Sequence, residues 1–136
     1  MVSRLLIIAG AVLFLVGLFQ GLAVDFVVNP RMALSAHLTA VQSGTAIMVA
    51  GLVAGHAQFP ARWHLIMQWS IALGMWVLWW GITLASLIGA SEALPMAGEG
   101  YAASPRGELL VTATIVAGSI GTILGWGLLV TGLVRR

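Results

Sequence analysis

Cysteine is absent from the 136 residues, and so is lysine. The first absence excludes disulfides, thiolate catalysis, iron–sulfur clusters and cysteine-bound metals, leaving histidine, carboxylate or main chain to hold any metal. Charge is scarce as well: Asp, Glu, Lys and Arg make up 7% of the chain, where a soluble domain carries about 25%. Six arginines against four acids give a net charge of +2, too little to form a nucleic-acid-binding face. No P-loop, dinucleotide fingerprint, HExxH or nucleophile elbow occurs. What fills the chain instead is apolar: 60% of the residues, with a mean hydropathy of +1.05. A small soluble domain could not hide that much apolar surface, so the chain belongs in hydrocarbon.

At roughly 20 apolar residues per crossing, the length allows four helical spans and no soluble domain. The expectation is a single all-α bundle of four transmembrane helices, near residues 4–28, 32–54, 62–88 and 108–134. Asn29-Pro30-Arg31 stops the first run, and Gly55 to Pro60 closes the second. The first run is too long for a signal-peptide core and lacks a cleavage site, so it reads as a retained helix. Gly89 to Gly107 is the one long polar stretch. With four spans, Arg4, Arg62, Arg135 and Arg136 share the side of the termini, and Arg31 and Arg106 lie opposite. That bias places both termini in the cytoplasm.

Glycines recur in stripes: Gly10, Gly17 and Gly21 in the first span, Gly44, Gly51 and Gly55 in the second, Gly118, Gly121, Gly125 and Gly132 in the fourth. Small residues at such spacings let helix backbones approach closely in lipid. They predict a tight bundle, and in the fourth span a contact between copies. The second stripe continues from His37, the one histidine expected at membrane depth, since His56 and His64 fall near a loop. An intramembrane ionisable group is a functional candidate. His37 either hydrogen-bonds between helices or ligates a metal, haem iron among them, with Gly44 and Gly51 clearing a slot for the macrocycle. Gln42 and Ser43 offer hydrogen bonds nearby. Trp69, Trp76 and Trp80, with Trp79 beside them, line an aromatic pocket or face lipid. Asp25 and Arg31 are placed to pair across the Asn29-Pro30 corner, and Glu108 to cap the fourth helix.

The run Asn29-Pro30-Arg31-Met32-Ala33-Leu34-Ser35-Ala36-His37-Leu38 resembles the hydroxylaminobenzene mutase family of small bacterial membrane proteins. Leu94-Pro95-Met96-Ala97-Gly98-Glu99-Gly100, a polar linker into Glu108 and a glycine-rich last helix look like the same family's third loop and fourth span. The resemblance covers nearly the whole chain. It implies conversion of an arylhydroxylamine to an aminophenol without net oxidation. A more distant likeness to styrene oxide isomerase implies a homotrimer and haem b, with His37 at the axial ligand position. Ser43 stands where the isomerase pattern has Asn, and Val77 and Trp79 lie about where relatives have Tyr and Asn, so substrate contacts do not transfer.

The reading is thus a membrane isomerase for a small aromatic substrate: haem b on His37 with Gly44 and Gly51 beside it, and Ser43 or Gln42 for proton transfer. Three alternatives are an epoxide isomerase, a non-catalytic haem-binding membrane anchor and a small multidrug transporter. An anchor with bis-histidine haem needs a second buried histidine. A proton-coupled transporter needs a carboxylate at membrane depth, and Asp25 sits close to a helix end.

Overall fold

The structure, a computed structural model, describes residues 2–135; Met1 and Arg136, the latter one of the four arginines assigned to the side of the termini, fall outside it. Helix α1 spans Arg4–Leu22, α2 Pro30–Val53, α3 Ala61–Ile88 and α5 Pro105–Val134; α4 is one turn, Pro95–Gly98. Helical turns of the tighter 3₁₀ type occupy Val24–Phe26 and Ala54–His56. The four long helices are long and apolar enough to cross a membrane.

Helix ends follow their caps. The Ser3 hydroxyl accepts from the Leu6 N–H at 3.4 Å, and Asn29 Oδ1 accepts from the Met32 N–H at 3.1 Å with Pro30 in the first turn. Helix α3 closes on Gly89 at φ +73°, a left-handed conformation that suits glycine. Two of the expected boundaries shift. The first helix ends at Leu22 instead of near Val28, because residues leading to Asn29 must extend for that side chain to cap α2 while its own N–H donates to the Ser86 carbonyl at 3.0 Å. The last helix starts at Pro105 instead of Glu108, because Ser104 is its cap.

Helix α1 packs along α2, and α3 along α5; α2 against α3 joins the two pairs. The core between them holds Leu6, Leu13, Ile47, Met67, Ile71 and Leu129, all fully buried. The outside is apolar too: Leu15, Phe19, Leu73, Ile120 and Ile123 are each about half exposed or more. A surface of that kind belongs against lipid. This is a multi-pass membrane protein.

The glycine stripes are seams within the chain. A Cβ on Gly44 would lie 2.6 Å from the Phe14 nitrogen and 2.7 Å from the Gly10 oxygen. One on Gly125 would lie 2.6 Å from the Ile71 nitrogen, and one on Gly118 would strike the Leu78 backbone. Helix α5 thus turns the stripe expected to meet another copy onto its own α3. Spacing alone shows which face is small; only the tertiary pairing shows what covers it.

Candidate active site

His37 sits seven residues into α2, and its ring leans on α1. Nδ1 lies 2.7 Å from the Gly17 carbonyl oxygen. A carbonyl can only accept, so Nδ1 carries a proton, and in the neutral imidazole Nε2 keeps its lone pair. Gly17 lies five residues before the end of α1. Gly21 completes the seat: a Cβ there would lie 2.9 Å from both Cε1 and Nδ1 of the ring. The imidazole is therefore oriented from two sides, and Nε2 makes no hydrogen bond among the described residues. This is the arrangement a metal-ligating histidine uses, one nitrogen fixed by a main-chain oxygen and the other free.

Haem can be tested against these residues. Among the described residues no three of His, Cys, Asp and Glu converge on a point that would hold a bare ion. A porphyrin brings four nitrogens of its own and asks the protein for one axial ligand, which His37 fits. The predicted slot does not fit. Gly51 faces Ile7 and Leu6, where a Cβ would lie 2.9 Å and 3.0 Å from side-chain carbons, and Gly44 faces Phe14 and Gly10. Helix α1 fills the groove that was to admit the macrocycle. Free surface near His37 lies outside the α1–α2 pair, where Leu34 and Leu38 are about half exposed.

The other predicted residues separate. At 100° per residue, Gln42 and Ser43 stand roughly 120–140° around α2 from His37 and do not share its face. Ser43 is buried and Gln42 exposed. Arg31 turns from Asp25 to the Glu99 main-chain oxygen and, at 3.9 Å, its carboxylate. Asp25 is exposed in the 3₁₀ turn that follows α1. Trp69 and Trp76 line one apolar cavity of about 540 Å³ between α1 and α3, and Trp79 and Trp80 are not part of its lining. Trp79 is buried and donates to Gln20 Oε1 at 2.8 Å; Trp76 donates to the Ala9 carbonyl at 3.3 Å; Trp69 and Trp80 are half exposed. His64 belongs to the first turn of α3, edge-on to Phe59.

Two features lay beyond the sequence reading. Gln20 bridges α1 to α3, its Nε2 donating to Thr83 Oγ1 at 3.1 Å while its Oε1 takes the Trp79 N–H. The available signal was a lone amide in an otherwise apolar run. Glu108, almost fully buried, does not cap α5 as expected. Its carboxylate accepts from the N–H groups of Ser91, Glu92 and Ala103 at 3.0–3.1 Å, pinning both arms of the 89–107 segment.

Fold and site describe a small polytopic membrane protein organised around one oriented histidine, and comparison with known proteins gives its class. Residues 2–134 match the profile of the styrene oxide isomerase family, and the chain belongs to that family of isomerases. It is 37% identical over 105 residues to hydroxylaminobenzene mutase HabA of Ectopseudomonas oleovorans, covering 76% of this chain and 78% of the relative. To HabB of the same organism it is 26% identical over 132 residues, covering 96% of this chain and 80% of the relative. No solved structure gives a significant match.

Proposed function

We propose that the protein rearranges an arylhydroxylamine, such as hydroxylaminobenzene, to a 2-aminophenol inside the membrane. The observation that carries this is the 37% identity to HabA, extending through the segment that supplies His37. The reaction is an isomerisation: the N–O bond breaks, a C–O bond forms at the ortho carbon, and the ring proton displaced there returns to a heteroatom. No electron donor or acceptor is consumed.

His37 Nε2 would hold a b-type haem, though not in the groove of Gly44 and Gly51 that α1 fills. When bound, the haem supplies a Lewis-acidic iron. The chain itself does three things. The Gly17 carbonyl and Gly21 hold the imidazole in one tautomer and one orientation. The apolar helix faces keep bulk water from capturing a cation-like ring, so the oxygen that leaves nitrogen is the one that returns. The four acids lie toward one end of the bundle, near the end of α1 and around the 89–107 segment. Ser43 and Gln42, expected for proton transfer, stand off the His37 face, so at that face water is the proton carrier. A homotrimer, with both termini on the cytoplasmic side of an inner membrane, agrees with this reading and would cover the exposed rim beside His37.

A second reading, isomerisation of an epoxide of the styrene oxide type, is favoured by the family match over residues 2–134. One experiment separates them. Protein purified in mild detergent is given phenylhydroxylamine or styrene oxide in ¹⁸O-labelled water, and its visible spectrum is recorded beside that of His37→Ala. The expected result is a Soret band and unlabelled 2-aminophenol from the wild type, and loss of both in the variant. Turnover of styrene oxide alone would establish the second reading, full ¹⁸O incorporation would mean that water is the nucleophile, and a colourless active protein would remove haem.

A further inference from the structure

Ser35 and Thr39 flank His37 in sequence but stand roughly 160° from it around α2. They open onto a cavity of about 490 Å³ lined also by Ile82 of α3 and the stretch Ala93–Ala97. A void of about 150 Å³ is enough for benzene, so a one-ring molecule fits with room for a substituent. The roof is fixed. Asn29 Nδ2 donates to the Ala97 carbonyl at 2.9 Å, Arg31 holds the Glu99 carbonyl, the Gly98 N–H bonds the Leu94 carbonyl at 2.9 Å, and Glu108 binds the start of the segment at Ser91 and Glu92. A cavity under a pinned roof is formed before any ligand arrives, which lowers the ordering cost of binding.

Its polar chemistry is one-sided. The Ser35 hydroxyl donates to the Arg31 carbonyl at 3.2 Å, and the Thr39 hydroxyl to the Ser35 carbonyl at 2.8 Å. With both protons committed to the helix, the two oxygens present lone pairs one turn apart. The remaining lining is apolar side chains and no charged residue is among them; Arg31, one turn before Ser35, is engaged with Glu99. Such a site accepts a hydrogen bond from a neutral aromatic molecule. An arylhydroxylamine or an aminophenol carries N–H and O–H donors; an epoxide carries an acceptor alone and would face two acceptors.

We propose that this cavity is a second ligand site, on the far side of α2 from His37, that binds neutral arylamines and arylhydroxylamines through Ser35 and Thr39. The identity of its ligand rests on the mutase reading, whereas the site rests on its geometry. The test uses 4-fluoroaniline, a stable donor-bearing ring, titrated into protein in lipid nanodiscs and followed by ¹⁹F NMR against empty nanodiscs. Saturable binding is expected for the wild type and, unchanged, for His37→Ala. The double variant Ser35→Ala, Thr39→Val keeps the helix and removes the acceptors; it should bind about fivefold more weakly or worse. Fluorobenzene, which has no donor, should bind the wild type as weakly as fluoroaniline binds the double variant. Equal affinity in wild type and double variant, binding lost in His37→Ala, or only the signal of empty nanodiscs would each overturn the proposal. Because no turnover is read, a protein inactive on phenylhydroxylamine leaves this result standing, and the two failures remain distinct.

Discussion

Gly21→Ala isolates the seat of His37. The added methyl would lie 2.9 Å from Cε1 and Nδ1, where ordinary contact begins at 3.4 Å, so the ring must withdraw by about half an ångström. The neighbour is a side chain that can swing, so the helices need not separate, and alanine is the better helix former by roughly 1 kcal/mol. Folding should survive. The Nδ1 hydrogen bond to Gly17 should not: from 2.7 Å it lengthens past good geometry. Losing a bond of about 1 kcal/mol changes the ratio of the two neutral tautomers roughly fivefold against the form with Nε2 free. Partners of this kind, when mutated, cost metal sites roughly 10–100-fold in affinity. The assay is ¹⁵N NMR of the imidazole in bilayers, the His37 signals being identified by their loss in His37→Ala, with a haem titration by absorbance alongside. The expected outcome is a shift away from the Nδ1–H tautomer and haem bound about tenfold more weakly. An unchanged tautomer signal together with unchanged haem affinity would refute the seat.

Two further outcomes test the frame around the sites. Glu108→Ala removes the acceptor for three main-chain N–H groups; stability to denaturant should fall by about 2 kcal/mol and cleavage within 89–107 should speed up, with Glu108→Gln affected less. Gly118→Val drives a side chain into the Leu78 backbone, which cannot give way, and should cost about 1–3 kcal/mol; Gly127→Val, with nothing within 4 Å, should leave the unfolding midpoint unchanged.

How much of this was written in the sequence depends on the range of each interaction. Asn29-Pro30 announces the start of α2 because a cap acts within three residues, and the apolar runs announce four spans because each is a local property. His37 stands out as the one ionisable group deep in a span. What covers each glycine stripe is a matter of pairing: the Gly44 face that spacing offered to a macrocycle is taken by Gly10 and Phe14. The burial of Trp79 over its neighbours depends on Gln20, 59 positions away. Glu108 was legible as a helix-start acid, but its reach back to Ser91 exists only once the loop is folded.

The arrangement makes α2 the central element of the chemistry. One of its faces carries His37, held by α1 through Gly17 and Gly21; the face roughly 160° away carries Ser35 and Thr39 under the pinned 93–97 roof. Both sets of residues lie within Ser35–Thr39, so their separation across the helix is fixed by one turn of regular backbone and cannot be closed by a rotamer change. A molecule in the cavity is thus parted from the His37 face of the same chain by the width of α2. On the proposed reading, binding in the cavity and chemistry at His37 would rest on different side chains, and a substitution at one would leave the other in place. The glycines follow the same division: Gly17 and Gly21 shape the environment of His37, while Gly44 and Gly51 keep α1 and α2 close enough for the Gly17 carbonyl to reach Nδ1. Remove that close approach and the histidine remains in the sequence but loses the partner that selects its tautomer.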